Sequence, residues 1–441
     1  MLDKMQCVCY YNREKGYLTM KKEEKNMLLE FSCTNHKSIR EEILFSALAG
    51  SDTTYEEKTK EFEGHRVLKS AVIYGANGSG KSNFIDAISF VKMLVMNSIN
   101  HQPGQGIRQV PHKLDGFKKE SVYRIQFVTK NTRYVFGFSL RNMLVTEEYL
   151  YFFPNGRQAK IFERKGEKFT TGSKFRGKLS TCKDVLKPNR LLLSCAANFS
   201  SVIEIEHAYK FFSDELVIYG SNNQDNWMQY SLYQMNTNDK VKQAVIAFMQ
   251  NLGLGLKDIE VTIDQQKMEA DKLPPFLSAE FKNIILQGSV DSITAKVIYD
   301  GFETDLMQEE STGVKKLFGL LCPLLDIIVN GKVLLCDELE AGLHESLVFG
   351  LIRLFMDLKS DNFPQIFFTT HETGLLNLDL FRRDQIWFTE LKKEDRSTEL
   401  YSLAEIRNIR KDDNFGKGYI SGRYGAIPML NIDFANIVSK M

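Results

Sequence analysis

Apolar residues follow strand-like and helix-like patterns in the first third of this chain. Residues 67–74 form a short apolar run rich in β-branched and aromatic residues, which predicts a buried strand. After a glycine-rich loop, residues 83–99 carry apolar side chains at helical spacing. Residues 121–153 then alternate apolar and polar positions, which predicts an antiparallel meander.

Further along the chain, residues 201–219 and 238–254 have patterns that predict helices. The pattern then becomes that of alternating helices and buried strands. It predicts helices over 314–328 and 344–358 and strands over 333–336 and 365–369, and Pro323 is expected to kink or end the first of these helices. Strands separated by helices indicate a parallel sheet.

Composition and charge narrow the class of protein. Of the 441 residues, 43% are hydrophobic and 26% charged, which is typical of globular proteins and argues against a disordered chain. The formal net charge of +1 gives no overall attraction for nucleic acid or an anionic membrane. The longest apolar stretch, residues 317–336, is interrupted by polar residues, so no membrane partner is expected.

The cysteines and the N-terminal segment indicate a reducing compartment. The seven cysteines are odd in number and scattered, with no CxxC pair. They are Cys7, Cys9, Cys33, Cys182, Cys195, Cys322 and Cys336. Residues 1–26 are polar and lack the apolar core of a secretory signal, and Met27 is a candidate for the true start. We therefore expect a cytoplasmic protein with free thiols.

A phosphate-binding loop follows the first buried strand. Residues 75–82 match G-x-x-x-x-G-K-[ST] in full, with a strand before them and a helix after them. The predicted nucleotide-binding residues are Gly75, Ala76, Asn77, Gly78, Ser79, Gly80, Lys81, Ser82 and Asn83. Successive backbone N–H groups and the helix N-terminus would hold the phosphates of a nucleoside triphosphate, with Lys81 on the β- and γ-oxygens and Ser82 on Mg²⁺.

Two further strands end in residues suited to nucleotide hydrolysis. Asp337 and Glu338 follow the apolar run 333–336, where Asp337 is a candidate Mg²⁺ ligand and Glu338 a candidate to polarise the attacking water. His371 follows the run 365–369 and could contact a γ-phosphate oxygen or orient the water. A solvated turn at 337–338 and an ordinary loop histidine at 371 are the simpler alternatives.

The helix predicted at 314–328 has a second candidate anion site at its start. Ser311 resembles an N-cap, Thr312 follows it, Gly313 permits close approach of a ligand, and Lys315 adds a positive charge. The simpler alternative is an ordinary helix start flanked by charges.

Taken in order, these elements resemble the ABC-type ATPases of the SMC/RecF/OLD branch. Residues 75–82 resemble Walker A, 333–338 Walker B, 311–313 a degenerate signature motif, and His371 the switch histidine. The sequence EAGLH at 340–344 is similar to the D-loop of that branch, and NHKS at 35–38 is similar to its opening N-F-K-S strand. The C-terminal segment resembles the bacterial AAA_15 and AAA_21 ATPases, which include the RloA- and AbiL-type phage-defence proteins.

The resemblance implies an α/β fold: an ABC-type P-loop ATPase head with a mostly parallel core sheet, an antiparallel β subdomain and a helical insertion. The expected domains are an N-terminal extension (1–26), an N-terminal ATPase lobe (27–160), a mainly helical insertion (161–305) and a C-terminal ATPase lobe (306–441).

The resemblance also implies a homodimer or higher oligomer. In such dimers, Ser311, Thr312, Gly313 and Lys315 of one chain would face ATP bound at Lys81 of the other. The signature STGVK departs from LSGGQ, and no Q-loop glutamine is identified.

Two functions remain open on these grounds. The first is a Mg²⁺-dependent ATPase that gates a partner effector, a nuclease or toxin, in phage defence; no acidic cluster of the Toprim kind follows His371. The second is a RecF/SMC-like clamp on DNA, with the basic segment 157–183 as a candidate nucleic-acid surface, although a solvated face is the simpler alternative. A transporter subunit is disfavoured by the D-loop type and the opening strand.

Overall fold

The computed structural model describes residues 25–53, 55–220, 224–267, 289–357, 362–409 and 413–427. Most of the predicted N-terminal extension, with Cys7 and Cys9, lies outside these residues. The other five cysteines are buried free thiols. Within the described ranges, no helix combines the length and apolarity needed to cross a bilayer.

The strands and helices are numbered in chain order. The strands are β1 Met27–Thr34, β2 Ile43–Ser46, β3 Thr59–Phe62, β4 His65–Leu68, β5 Ser70–Gly75, β6 Ser121–Thr129, β7 Thr132–Arg141, β8 Leu144–Phe152, β9 Ala159–Lys165, β10 Lys168–Thr171, β11 Leu216–Tyr219, β12 Asp258–Lys267, β13 Ser289–Ile298, β14 Glu303–Asp305, β15 Val333–Cys336, β16 Gln365–Thr369, β17 Ile386–Leu391 and β18 Thr398–Ser402. The helices are α1 Lys81–Asn97, α2 Cys182–Val185, α3 Leu192–Phe199, α4 Ile203–Lys210, α5 Gln224–Thr237, α6 Asp239–Asn251, α7 Thr312–Asn330, α8 Glu345–Asp357 and α9 Phe415–Ile420.

The chain divides into two compact units. The first comprises the described parts of Met1–Tyr219, Ile327–Glu340 and Val348–Met441, and the second those of Gly220–Asp326 and Ala341–Leu347. The four domain boundaries expected from the sequence stay a prediction. The range 161–305 contains strands from three of the sheets as well as α2 to α6.

The first unit is built around two large sheets. One has seven antiparallel strands in the order β10-β9-β8-β7-β6-β1-β2. The other has the order β11-β15-β16-β5-β17-β18, in which every neighbouring pair is parallel except β17 and β18. The predicted α/β class, with a mostly parallel core sheet and an antiparallel β subdomain, is therefore confirmed.

Aromatic side chains bring the two sheets together in one core. Phe45 on β2 is fully buried, with its ring centroid 5.2 Å from that of Phe367 and 5.1 Å from that of Trp387. Phe84 of α1 packs on Phe45 and Phe31 from the helix side. Burial of these large rings stabilises the unit by removing apolar surface from water. It also fixes the start of α1 relative to β5.

The second unit has its own apolar core. The strands β12, β13 and β14 form an antiparallel sheet. Buried residues of α5, α6, this sheet and α7 share one cluster, which includes Leu232, Met249, Val297 and Leu321. Because this core is separate from that of the first unit, each unit has an apolar core to support its own packing.

Most of the predicted strands and helices are confirmed, and one helix differs at its end. The strands at 333–336 and 365–369 have the predicted bounds. The helix predicted over 201–219 was wrong at its end, because Leu216–Tyr219 is a strand paired in parallel with β15. Pro323 lies inside α7, so it does not end the helix, and the alternative of a kink at Pro323 stays a prediction.

Candidate functional site

The predicted phosphate loop connects β5 to α1 in the expected way. β5 ends at Gly75 and α1 begins at Lys81, so the helix N-terminus borders the loop. Gly78 and Gly80 have φ values of +79° and +110°, a region that side chains disfavour. A Cβ at Gly80 would collide with the side chain of Thr398. The two glycines therefore allow a backbone path that other residues would block.

Lys81 is held inside this loop. Its Nζ donates hydrogen bonds to the carbonyl oxygens of Gly75 at 2.7 Å and Ala76 at 3.2 Å, and only 5% of the residue is exposed. Burial lowers the pKa of Lys81 to about 8, while the charges of Asp337, Glu338 and Glu340 act in the opposite direction. A cation in this position is surrounded by acids and carbonyls, and it suits the binding of a phosphate group.

Hydroxyl groups from distant parts of the chain brace the loop. Ser79 accepts a hydrogen bond at its carbonyl oxygen from Thr398 Oγ1 at 2.8 Å, and its Oγ lies 2.6 Å from Thr389 Oγ1. Ser38 lies 2.7 Å from the same Thr398 hydroxyl and accepts from the Asn83 amide at 2.7 Å. No pattern in the sequence marks Thr389 or Thr398 as part of the site: Thr389 lies inside β17, and Thr398 is the first residue of β18.

Asp337 and Glu338 lie where β15 ends, beside the end of β16. The Thr369 hydroxyl donates to Asp337 Oδ1 at 2.6 Å and accepts from the Glu338 N–H at 2.8 Å. Glu338 is exposed and has a φ of +52°, in the left-handed region. One threonine thus fixes both acids, and Glu338 keeps an exposed side chain on a strained backbone.

His371 lies just beyond the end of β16. Its backbone N–H donates to Glu340 Oε1 at 2.6 Å. Partial burial and the Lys81 cation lower the pKa of His371 below its ordinary value, whereas Glu340, Glu338 and Asp337 oppose this shift. The imidazole is therefore electrostatically coupled to the lysine and to all three acids. The sequence singles out Glu340 only as part of the EAGLH segment and does not predict its contact with His371.

The structure thus brings together the predicted residues of the first unit. Lys81, Asp337, Glu338 and His371 are near enough to influence one another's charge, at the carboxyl ends of β5, β15 and β16. In open parallel sheets this edge is the usual place for ligands. The roles assigned to these residues remain predictions.

The signature-like residues Ser311, Thr312, Gly313 and Lys315 lie in the second unit. Ser311 Oγ accepts a hydrogen bond from the Val314 N–H at 3.3 Å, which confirms the predicted N-cap of α7. A Cβ at Gly313 would lie 2.9 Å from the carbonyl oxygen of Gly342, so this position requires a glycine. Ser311 and Thr312 are both exposed.

The residues predicted to hold Mg²⁺ have suitable chemistry. Ser82 offers an exposed hydroxyl in the first turn of α1, and Asp337 offers a carboxylate oriented by Thr369. Both are hard oxygen ligands of the kind that Mg²⁺ prefers. Among the described residues, no group of three or more His, Cys, Asp or Glu side chains could hold a metal ion. Ser82 and Asp337 are therefore suited to a cation that takes its other ligands from the phosphates of a nucleotide.

Comparisons of structure return SMC head domains at low identity. An SmcHead bound to the C-winged helix domain of ScpA is 13% identical over 85% of this chain and 97% of its own, with a TM-score of 0.46. The SMC head domain from Thermotoga maritima is 14% identical over 85% and 98%, with a TM-score of 0.38. An Smc head from Pyrococcus furiosus, bound to the C-terminal domain of ScpA, is 11% identical over 86% and 96%, with a TM-score of 0.38.

A comparison with protein families gives a match in two segments of the chain. The model of the AAA_21 family, described as "AAA domain, putative AbiEii toxin, Type IV TA system", matches residues 70–175 and 266–377. The first segment contains the phosphate loop, and the second contains residues 311–315, both acids after β15, and His371. No curated protein matches the chain.

Proposed function

We propose that this chain converts ATP and water to ADP and phosphate in a Mg²⁺-dependent reaction, as an ATPase of the AAA_21 type whose family model matches residues 70–175 and 266–377. The observation that carries the proposal is the environment of Lys81. Its buried ammonium group lies in a glycine-rich loop and interacts with the charges of Asp337, Glu338 and Glu340. An arrangement of this kind suits a bound triphosphate and its cation better than it suits a purely structural lysine.

We assign each residue of the site a role in nucleotide binding or hydrolysis. The loop 75–83 binds the phosphates through its N–H groups, and Lys81 neutralises the β- and γ-oxygens. Ser82 and Asp337 would hold Mg²⁺, which when bound neutralises charge on the phosphates. Glu338 orients and polarises the attacking water, which can reach its exposed side chain. His371 donates a hydrogen bond to a γ-phosphate oxygen.

Phosphate release from ATP by the purified chain tests this activity. Turnover should require Mg²⁺ and should be lost in Lys81→Ala, which should also lose nucleotide binding because the phosphates lose their counter-charge. Lys113→Ala, at an exposed lysine, provides the matched control. Hydrolysis that persists in Lys81→Ala would refute the proposal.

We also propose that two copies close around ATP. The exposed, Ser311-capped N-terminus of α7 would bind the γ-phosphate held at Lys81 of the partner copy. ATP would then hold the dimer together, and hydrolysis would release it. Light scattering of Glu338→Gln with ATP and Mg²⁺ should show twice the 50.7 kDa mass of one chain. Ser311→Arg should remain monomeric with ATP bound; a monomer in both variants would refute this step.

The physiological role that we propose is the ATP-dependent control of a partner effector, a nuclease or toxin, in phage defence in the cytoplasm. The matched family's description, "AAA domain, putative AbiEii toxin, Type IV TA system", links AAA domains of this kind to toxin–antitoxin systems, and this link supports a toxic activity under ATP control. The buried free thiols of the described residues suit a reducing compartment. An effector should co-purify with the natively expressed protein. The activity of that effector should change when this chain carries the Glu338→Gln substitution. Nuclease activity of the chain alone that survives Lys81→Ala would contradict this role.

An ATP-dependent clamp on DNA is the second candidate function. The segment 157–183 carries exposed cations that form no ion pair with other described residues, namely Arg157, Lys168, Lys174, Arg176, Lys178 and Lys183. Arg164 does not belong to this surface, because it is buried against Glu148. DNA affinity with ATP should fall steeply with salt if the segment clamps duplex DNA. Replacement of Lys174, Arg176 and Lys178 by Glu reverses the charge of the segment and should then abolish the ATP-dependent binding of DNA.

A further inference from the structure

The side chain of Glu340 makes a hydrogen bond that has no role in the reaction proposed above. Its Oε1 accepts a hydrogen bond from the backbone N–H of His371 at 2.6 Å. Its Oε2 is buried and has no hydrogen-bond partner among the described residues. The carboxylate therefore holds the residue after β16 with one oxygen and leaves the other unsatisfied.

The backbone on either side of His371 is also held by hydrogen bonds from β5. The Thr370 N–H donates to the Ile73 carbonyl oxygen at 3.2 Å, and the Tyr74 hydroxyl donates to the Glu372 carbonyl oxygen at 3.1 Å. Both of these contacts come from β5. Glu340 supplies the contact from the β15 side, so the segment 370–372 is held between the two strands that carry the phosphate loop and the acids.

Stability alone is a poor reason for a glutamate at this position. A buried oxygen without a partner costs free energy, and the cost is greater for a charged group. The charge of Glu340 also acts on Lys81 and His371, whose pKa values it raises against the effect of burial. A side chain that is unfavourable for folding and is coupled to the reacting groups is better explained by function.

We propose that Glu340 is a positioning residue, which holds the backbone of His371 so that the imidazole stays in place for the γ-phosphate. This inference rests on the proposed function. It assigns no chemistry to Glu340 itself, because the contact is with a backbone amide and not with a reacting atom. A residue of this kind affects turnover through geometry, with little effect on nucleotide binding.

Steady-state phosphate release at varied ATP concentration tests the role. Glu340→Ala removes the acceptor, and we expect kcat to fall on the order of tenfold to a hundredfold while KM stays within about threefold. Glu340→Gln keeps an oxygen that accepts from His371, and it should retain most of the wild-type kcat. Glu372→Gln is the matched control, since Glu372 is next to His371 and its side chain accepts only from the Gly374 N–H among the described residues; kcat should be unchanged.

A double-mutant cycle adds a readout that a merely structural role would not change. Once His371→Ala has removed the imidazole, Glu340→Ala should cost little further kcat, because both variants remove the same contribution. The role is refuted if Glu340→Ala has wild-type kcat, if Glu340→Gln is as slow as Glu340→Ala, or if the two losses are additive.

Hydrogen exchange separates this inference from the proposed function. If the wild-type chain does not hydrolyse ATP, the proposed function fails, but the contact can still be measured. The His371 amide should then exchange faster in Glu340→Ala than in the wild type and in Glu340→Gln. Equal exchange in all three would refute the positioning contact itself.

Discussion

The hydroxyl of Thr369 donates a hydrogen bond of 2.6 Å to the Oδ1 atom of Asp337. Thr369 is the last residue of β16, and Asp337 directly follows the neighbouring strand β15. The same Thr369 oxygen accepts a hydrogen bond from the N–H of Glu338, the glutamate proposed to polarise the attacking water. This threonine thus links the orientation of Asp337, the proposed Mg²⁺ ligand, to the backbone of the next residue. The register that pairs Cys336 with Phe368 places the two strand ends side by side.

Replacement of Thr369 by valine should weaken the metal site. The change keeps the shape of the side chain but removes the hydrogen bond that orients Asp337. Loss of such a supporting contact typically costs about tenfold to a hundredfold in metal affinity. We expect the Mg²⁺ concentration for half-maximal turnover to rise by about tenfold, measured by phosphate release at saturating ATP.

Thr370→Val is the matched control for this prediction. Thr370 is also buried, and its hydroxyl accepts from the Glu372 N–H. Its Mg²⁺ dependence should stay close to that of the wild type. An equal shift in both variants would show that the effect comes from general disturbance of β16 and not from Asp337.

Two glycines of the loop should differ in their tolerance of alanine. Gly80→Ala combines a φ of +110° with a collision against Thr398, whereas Gly78→Ala has a φ of +79° and no atom within 4 Å of the new Cβ. The first variant should lose nucleotide binding, and the second should retain measurable binding at a cost of about 1 kcal/mol. Calorimetric titration with ATP provides the comparison. Equal affinities in the two variants would contradict the close packing of Thr398 against Gly80.

The sequence predicted those parts of the site that depend on local pattern. The phosphate loop and both strand-end acids were found because a buried apolar run directly precedes each of them. Ser311 was identified as a helix cap for the same reason, since capping involves residues only three apart. Features of this kind are local in the chain, and short-range chemistry decides them.

Contacts between distant residues could not be predicted in this way. Thr398 braces Ser79 from 319 positions away, and Glu340 holds His371 from 31 positions away. Leu216–Tyr219 was predicted as the end of a helix, yet pairing with β15 makes it a strand. Tertiary pairing overrides local propensity in such short apolar segments, and only the folded structure shows which partner is present.

A buried ion pair in the antiparallel sheet should be important for folding. The side chains of Glu148 and Arg164 are both fully buried, 3.1 Å apart, and Glu148 also accepts from the N–H groups of Leu192 and Leu193. Glu148→Ala leaves the buried guanidinium without its carboxylate, so we expect a loss of about 3–5 kcal/mol in the free energy of unfolding. Urea denaturation measures this loss.

The neighbouring exposed pair is the control for that experiment. Glu147 and Lys165 are 3.0 Å apart, with side-chain exposures of 51% and 84%. Glu147→Ala should change stability by less than about 0.5 kcal/mol, because solvent screens an exposed pair. Similar losses at the two positions would contradict the burial of Arg164.

Lys92 should make stability depend on pH in the alkaline range. Burial lowers the pKa of Lys92 to about 8 from 10.5, with Lys332 adding to the shift and Asp214 opposing it. The unfolded chain therefore binds this proton more tightly than the folded chain does. The resulting penalty is complete below about pH 8 and disappears as the pH rises toward 10.5.

Lys92→Met removes this titration. Its Tm relative to the wild type should fall as the pH is raised from 8 to 10.5, because the wild type is relieved of the penalty over that range. Thermal unfolding followed by circular dichroism gives the two curves, with the exposed Lys113→Met as the baseline. A difference in Tm that is independent of pH would show that Lys92 is not buried in the folded chain.

The rate of phosphate release by Glu338→Gln is the most direct test of the central claim, that the acids after β15 act on a nucleotide held at Lys81. With saturating ATP and Mg²⁺, this variant should bind ATP as the wild type does and release phosphate at least about a hundredfold more slowly, because the amide cannot polarise the attacking water. Wild-type turnover in Glu338→Gln would contradict the account.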